Sequence, residues 1–245
     1  MYSNAYIFRY AGIMVIVVAA VLSAAAMLLK PMQERNEAVD KMTSILKAAG
    51  FQDVNAKNAI DLFNSTITNM IVINQDGDVV DDYSGSGKEN SRAFKLNLKE
   101  QLYNKSVKKP FELPLFKANK NGETIYIIPM RGVGLWGPIW GNIALRDDFS
   151  TVIGVTFGHK SETPGLGAEI VEPFFTEQFP GKQLFNNEGS FLSIKVVKGG
   201  AASLDASFHN HAVDAISGGT ITSNGVSNMI HNVLESYEPF IKKIG

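Results

Sequence analysis

The stretch Ser217-Gly218-Gly219-Thr220-Ile221-Thr222-Ser223 places two glycines and then three hydroxyl side chains directly ahead of an apolar-patterned segment. Three chemistries are open to such a stretch. A hydroxyl or amide side chain, Ser223 or Asn224, can cap a helix by accepting a hydrogen bond from its unpaired backbone N–H groups. Those same groups and the positive end of the helix dipole can hold an anion, and glycines let the backbone approach a phosphate closely. A threonine hydroxyl can also carry a covalently attached group. Ser/Thr/Gly clusters before helices are common, and this one lacks the lysine of a P-loop, which favours the cap.

These residues depend on a helix behind them. Val226, Met229, Ile230, Val233, Leu234 and Tyr237 fall at i, i+3, i+4, i+7, i+8 and i+11, one apolar face of an amphipathic helix. Upstream, runs rich in apolar residues alternate with turn signals. Asn69–Tyr83 with Asp76-Gly77 reads as a β-hairpin, and so does Leu113–Met130 with Asn121-Gly122. Ser84–Arg92 reads as a flexible polar loop, and Asp81-Asp82 and Asp147-Asp148 as solvated turns. Further strands are expected around 151–158 and 190–199, with helices over 31–50 and 54–65. Strands precede and outnumber helices without a βαβ rhythm, which predicts an α+β domain with a mainly antiparallel sheet.

The chain has 245 residues, 45% of them hydrophobic and 19% charged, a balance that fits a folded protein. Its net charge of -1 gives no electrostatic footprint for nucleic acid. With no cysteine, disulfides, iron–sulfur ligation and cysteine nucleophiles are excluded. His209 and His211 lack an evident third ligand, so no metal site is expected.

From Ala11 to Leu29 no residue is charged. At helical rise that run spans roughly 28 Å, close to the apolar thickness of a bilayer. Arg9 and the small residues Ser23–Ala26 are features of a cleavable signal peptide. The run continues to Leu29, however, and Tyr2, Tyr6 and Tyr10 suit a membrane interface, so it reads as a retained anchor. The expected organisation is a short segment 1–10, a transmembrane helix 11–29, a juxtamembrane helix 30–50 and a soluble domain 51–245. Lys30, Arg35, Lys41 and Lys47 outweigh Arg9, so a positive-inside count puts that domain in the cytoplasm.

Asp214–Ser223, "DAISGGTITS", resembles the S-G-A-T-x-T-S/T motif of an FMN-binding family. That family includes NqrC, from sodium-translocating NADH:quinone reductases, and RnfG, from the Rnf electron-transport complex. His159–Gly167, "HKSETPGLG", is similar to the family's E-T-P-G-L-G segment, and Gly132–Gly141, "GVGLWGPIWG", to its G-x-G-L-W segment. Lys30–Asn36 and Ile45–Gly50 look like the segment after the anchor. Gly219 stands where the family usually has alanine.

The resemblance implies that Thr222 bears FMN through a phosphodiester to its side-chain oxygen. Thr220 is then the first, unmodified threonine, and Ser217, Gly218, Gly219 and Ser223 are the cofactor-binding residues around it. Leu135, Trp136, Thr163, Leu166 and Gly167 are expected to line the flavin pocket, with core packing as the alternative role for Trp136 and Trp140. Glu162 lies inside a motif and is expected to order its loop rather than act as an acid or base; no catalytic residue is assigned.

The resemblance further implies an electron-transfer subunit of a sodium-pumping complex in the bacterial inner membrane. Its partners would be other membrane subunits and a flavin transferase that moves FMN from FAD. It places the flavin domain on the external side, against the charge count. By itself the chain is not expected to oxidise NADH, because no dinucleotide fingerprint follows a strand. The alternatives are the Rnf protein and a membrane-anchored binding or assembly module whose hydroxyl cap is unmodified.

Overall fold

The computed structural model of this protein describes residues 3–244; Tyr2, counted above among the interfacial tyrosines, lies outside them. The chain divides into two units, one ending at Lys41 and the other beginning at Met42. Helix α1 (Asn4–Ala48, 45 residues) runs through Pro31 without a break, so the anchor and the helix expected after Pro31 are one element. Proline removes one backbone donor, but every flanking residue adds a bond to a helix already nucleated. Alanine, methionine and leucine before it, and glutamine, glutamate and arginine after it, are strong helix formers. In the first unit the side chains of Ile13, Val15, Ile16, Leu22 and Leu28 are exposed. Among the described residues, α1 is the helix long and apolar enough to cross a membrane.

The second unit is an α+β domain built on one six-stranded antiparallel sheet in the order β2-β1-β3-β4-β5-β6. Its strands are β1 (Ile67–Asn74), β2 (Val79–Tyr83), β3 (Glu112–Lys120), β4 (Glu123–Val133), β5 (Pro138–Leu145) and β6 (Val152–His159). A small parallel pair, β7 (Lys195–Val197) and β8 (Ala212–Asp214), lies outside it. The helices are α2 (Ala59–Thr66), α3 (Arg92–Lys95), α4 (Leu98–Ser106), α5 (Pro173–Thr176), α6 (Thr220–Glu235) and α7 (Glu238–Ile244).

Both hairpin turns form where expected. Asn74 Oδ1 accepts from the N–H groups of Asp76 and Asp78 at 3.0 and 2.8 Å. Asn121 and Gly122 have φ of 54° and 88°, the two left-handed positions of a type I′ turn. Two polar segments differ from expectation. Asp81 and Asp82 lie on edge strand β2 and not in a turn, whereas Asp148 does hold a turn, accepting from Ser150 N, Thr151 N and Thr151 Oγ1. The stretch Ser84–Arg92 is anchored: Lys88 is buried, and its ammonium donates to the carbonyls of Asn64 (2.6 Å) and Ile67. A buried cation without a carboxylate is tolerable only with such acceptors.

Alternation along β1 sends Ile71 and Ile73 into the main core with Leu113, Ile128, Met130 and Ile143, while Met70 and Val72 are buried outside that cluster. On the first face lies α6, whose Val226, Met229, Ile230, Val233 and Leu234, followed by Tyr237, are all buried as the spacing predicts. At the end of this face the Tyr237 hydroxyl donates to the carbonyl of Pro114 on β3 at 2.6 Å, and complete burial pushes its phenol well above the usual range. Tyr237→Phe is expected to lower unfolding free energy by about 1–3 kcal/mol, since it orphans a buried carbonyl; denaturant unfolding checks this. The other face carries the end of α1, where Ser44 bonds Thr156 Oγ1 (2.9 Å) and Asn142 (2.8 Å) of β6 and β5.

Candidate functional site

Helix α6 begins at Thr220, with Gly219 in the cap position and no side-chain cap hydrogen bond. The helix-cap reading is therefore overturned: Ser223 and Asn224 lie inside the helix. The turn before it is closed by Gly219 N–H donating to Ile216 O at 3.0 Å and by Ser223 N–H donating to Gly219 O at 2.9 Å. Gly218 takes φ +76°, and a Cβ there would stand 2.6 Å from Leu166 Cδ2; backbone and space both require glycine. Ser223 is fully buried and its hydroxyl accepts from Ile216 N–H at 3.2 Å, so it holds the turn. Thr220 is half-buried, and Ser217 is exposed.

Thr222 points the other way. It is 1% exposed, and its hydroxyl donates to Glu162 Oε2 at 2.6 Å. The second oxygen, Glu162 Oε1, accepts from the backbone N–H of Trp136 at 2.9 Å, and Glu162 N–H donates to His159 Nδ1 at 3.2 Å. Glu162 is 4% exposed, and among the described residues no basic side chain pairs with it. One buried carboxylate thus joins three segments: the β4–β5 loop, the loop after β6 and the first turn of α6. Its importance exceeds the loop-ordering role expected from its place in a motif.

Glycines make this junction possible. A Cβ on Gly167 would stand 2.4 Å from Thr222 Oγ1 and 2.6 Å from Glu162 Oε2, and one on Gly134 would stand 2.5 Å from Glu162 Oε1. On α6, a Cβ at Gly225 would stand 2.4 Å from the Val133 carbonyl, so helix and loop meet backbone to backbone. The loop carrying Thr163 is folded on itself: Leu166 and Ala168 donate their N–H groups to Thr163 O, and Gly165 N–H donates to Glu169 Oε1.

Apolar side chains are exposed in the segments that carry the buried pair. Leu135, Trp136, Leu166 and Ile221 are exposed, Trp136 to 63%, and Thr163 is exposed beside them in sequence. Core packing is therefore not the role of Trp136. Nor is it that of Trp140, also exposed, whose ring lies across Gly158 of the neighbouring strand. His209 and His211 are occupied in the fold, their rings bonding the carbonyls of Leu204 (3.0 Å) and Gln183 (2.6 Å).

Residues 134–235 match the family described as the FMN-binding domain. The NqrC protein of the Na+-translocating NADH-quinone reductase of Vibrio vulnificus is 34% identical over 257 residues, covering 100% of this chain and 98% of its own. This chain belongs to the NqrC family. The counterpart from Pseudomonas aeruginosa is 32% identical, covering 86% of this chain and 83% of its own. Among crystal structures, the corresponding reductase protein from Parabacteroides distasonis superposes with a TM-score of 0.74 at 36% identity, covering 87% of this chain and 96% of that one. Shewanella oneidensis NqrC gives 0.65 at 27%, covering 87% and 98%. Every residue of the buried junction except Val133 falls inside the matched FMN-binding region.

The first turn of α6 favours negative charge, and the Glu162 carboxyl group bonds Thr222 within that turn. The Thr222 hydroxyl is held at one fixed position by Glu162 and by its close packing against Gly167, and the loop that bonds the other oxygen of Glu162 carries the exposed Trp136.

Proposed function

We propose that this chain is a single-pass, membrane-anchored electron-transfer subunit of a sodium-translocating NADH:quinone reductase, carrying FMN joined by a phosphodiester to Thr222. The observation that carries this reading is the Thr222 hydroxyl, held by Glu162 and packed directly against Gly167, whose missing side chain makes room for it, at the position that bears the flavin in the resembling motif. FMN supplies the redox chemistry; the protein's part is to fix the flavin, orient it and tune it. Attachment through Thr222 prevents its loss between turnovers. The α6 N-terminus offsets the single negative charge that a phosphodiester retains, and Leu135, Trp136 and Leu166 provide apolar contact for the ring.

The partners are the other membrane subunits of the complex, with a flavin transferase acting during maturation. The flavin domain lies on the external side of the inner membrane. Sodium does not cross through α1 alone, since Ala11–Leu29 carries no charged residue along an ion path. The test is the full chain produced with an active flavin transferase, run on a denaturing gel under ultraviolet light and mapped by peptide mass. A fluorescent band and an FMN-sized addition on Thr222 support the reading. An unmodified peptide, with the transferase active on a control acceptor, refutes it in favour of a membrane-anchored binding module.

Trp136 offers a separate check on the pocket. Because its side chain is largely exposed, Trp136→Ala is expected to change stability by less than about 0.5 kcal/mol. It should nevertheless shift the absorbance and midpoint potential of the bound flavin. Unaltered spectrum and potential would remove Trp136 from the pocket.

A further inference from the structure

The Thr222–Glu162 contact joins a hydroxyl and a carboxylate that are both buried, at 2.6 Å, with no basic side chain among the described residues paired to the carboxylate. An aliphatic hydroxyl is a weak nucleophile until a base takes its proton. In protein kinases a carboxylate performs that service for the accepting hydroxyl. Here the acceptor chain carries such a carboxylate itself. Glu162 Oε2 holds the proton of Thr222, while Trp136 N–H bonds Oε1 at 2.9 Å and fixes the plane of the group. Loop ordering alone explains the Trp136 bond but not why the second oxygen is aimed at the hydroxyl of the threonine proposed to be modified.

We propose that Glu162 is a catalytic residue of flavin attachment, contributed by the acceptor chain: it aligns the Thr222 hydroxyl and accepts its proton as the phosphodiester forms. This rests on the assignment of Thr222 as the flavin-bearing residue. In the step, Thr222 Oγ1 forms a bond to the flavin-side phosphorus of a flavin adenine dinucleotide. The bond from that phosphorus to the bridging oxygen breaks, and AMP leaves with the bonding electrons. The proton passes from Oγ1 to Glu162 Oε2 and thence to solvent, and no oxidant or reductant is needed. The contact does not outlast the step, because an esterified Oγ1 has no hydrogen to donate. The carboxylate, then facing a phosphodiester with which it has no hydrogen bond, turns away from it.

The test compares wild type, Glu162→Gln and Glu162→Asp as full chains incubated with an active flavin transferase and the dinucleotide. Labelling is followed by in-gel fluorescence and intact mass at several pH values. Glutamine is nearly isosteric and keeps an oxygen for Trp136 N–H, so its unfolding midpoint is expected to stay close to wild type. Labelling of Glu162→Gln should be slower by about 100-fold, the lower end of what a positioned base contributes. That deficit should narrow as pH rises, since hydroxide then removes the proton that glutamine cannot take. Glu162→Asp, with its carboxylate drawn back by one methylene, should label at an intermediate rate. If Glu162→Gln does not fold, the aspartate variant decides, and labelling at the wild-type rate overturns the proposal. Wild-type rates in Glu162→Gln, or a deficit constant across pH, overturn the base role while leaving flavin on Thr222. Failure of wild type itself to label, with a control acceptor labelled, removes the flavin assignment as well.

Discussion

Thr222→Ala is expected to leave the chain with no covalently held flavin: no fluorescence on a denaturing gel and no FMN-sized addition to any peptide. The neighbouring hydroxyls cannot substitute. Ser223 is fully buried with its oxygen committed to Ile216 N–H, and Thr220 lies two residues away, about 200° around the helix from Thr222. Of these three hydroxyls only Thr222 bonds Glu162 and packs against Gly167. Alanine also strands a buried carboxylate oxygen, at a cost of about 1–3 kcal/mol, so the unfolding midpoint must be measured beside the fluorescence. Thr222→Ser separates the two effects. It restores a hydroxyl at the same place and loses only a methyl group, so labelling should return at a reduced rate. Flavin retained in Thr222→Ala would place the attachment elsewhere and dissolve the site as described.

The same residues show what the sequence could and could not convey. The apolar face from Val226 to Tyr237 was legible because packing there obeys the rule that apolar side chains turn inward, and all of it is buried. One turn earlier the rule inverts. Ile221 is exposed while Thr222 and Ser223 are buried, so the helix looked as if it began later and its first turn looked like a cap. Gly225 lies inside the helix, where its missing side chain lets the Val133 carbonyl approach.

Pro31 misled for a related reason: a local signal for a helix start was outweighed by good helix formers on both sides. The hairpins were legible because φ > 0 at Asn121 and Gly122 is a local demand that the residue types announce. Glu162 was not. Its role depends on segments about 25 and 60 residues away in sequence meeting at one point, and no spacing within the loop reveals that. Lys88 escaped for the same reason: its acceptors lie on the end of α2 and the start of β1.

Gly167→Ala is the sharper test of the site, because it adds one methyl group and removes nothing. The backbone at 167 lies outside the left-handed region, so alanine meets no conformational penalty there. The difficulty is space. Its Cβ would stand 2.4 Å from Thr222 Oγ1, 2.6 Å from Glu162 Oε2 and 3.0 Å from Thr222 Cβ, where ordinary contacts need about 3.5 Å. These neighbours are not free ends of long side chains. Thr222 is β-branched and fixed on a helix, with few rotamers open to it, and Glu162 is held at its other oxygen by Trp136 N–H. Relief must come from breaking the Thr222–Glu162 bond or moving the loop, at about 1–3 kcal/mol for overpacking of this kind. Either route takes the Thr222 hydroxyl off Glu162. Covalent flavin is therefore expected to fall below about one-hundredth of the wild-type rate, the scale of a lost general base, while the domain still unfolds cooperatively. Gly165→Ala, in the same loop with no atom near its Cβ position, is the comparison. Its φ of +77° strains the backbone, but nothing is pushed onto Thr222, so labelling should persist. Equal labelling of the two variants would mean that the missing side chain at Gly167 does not serve the threonine.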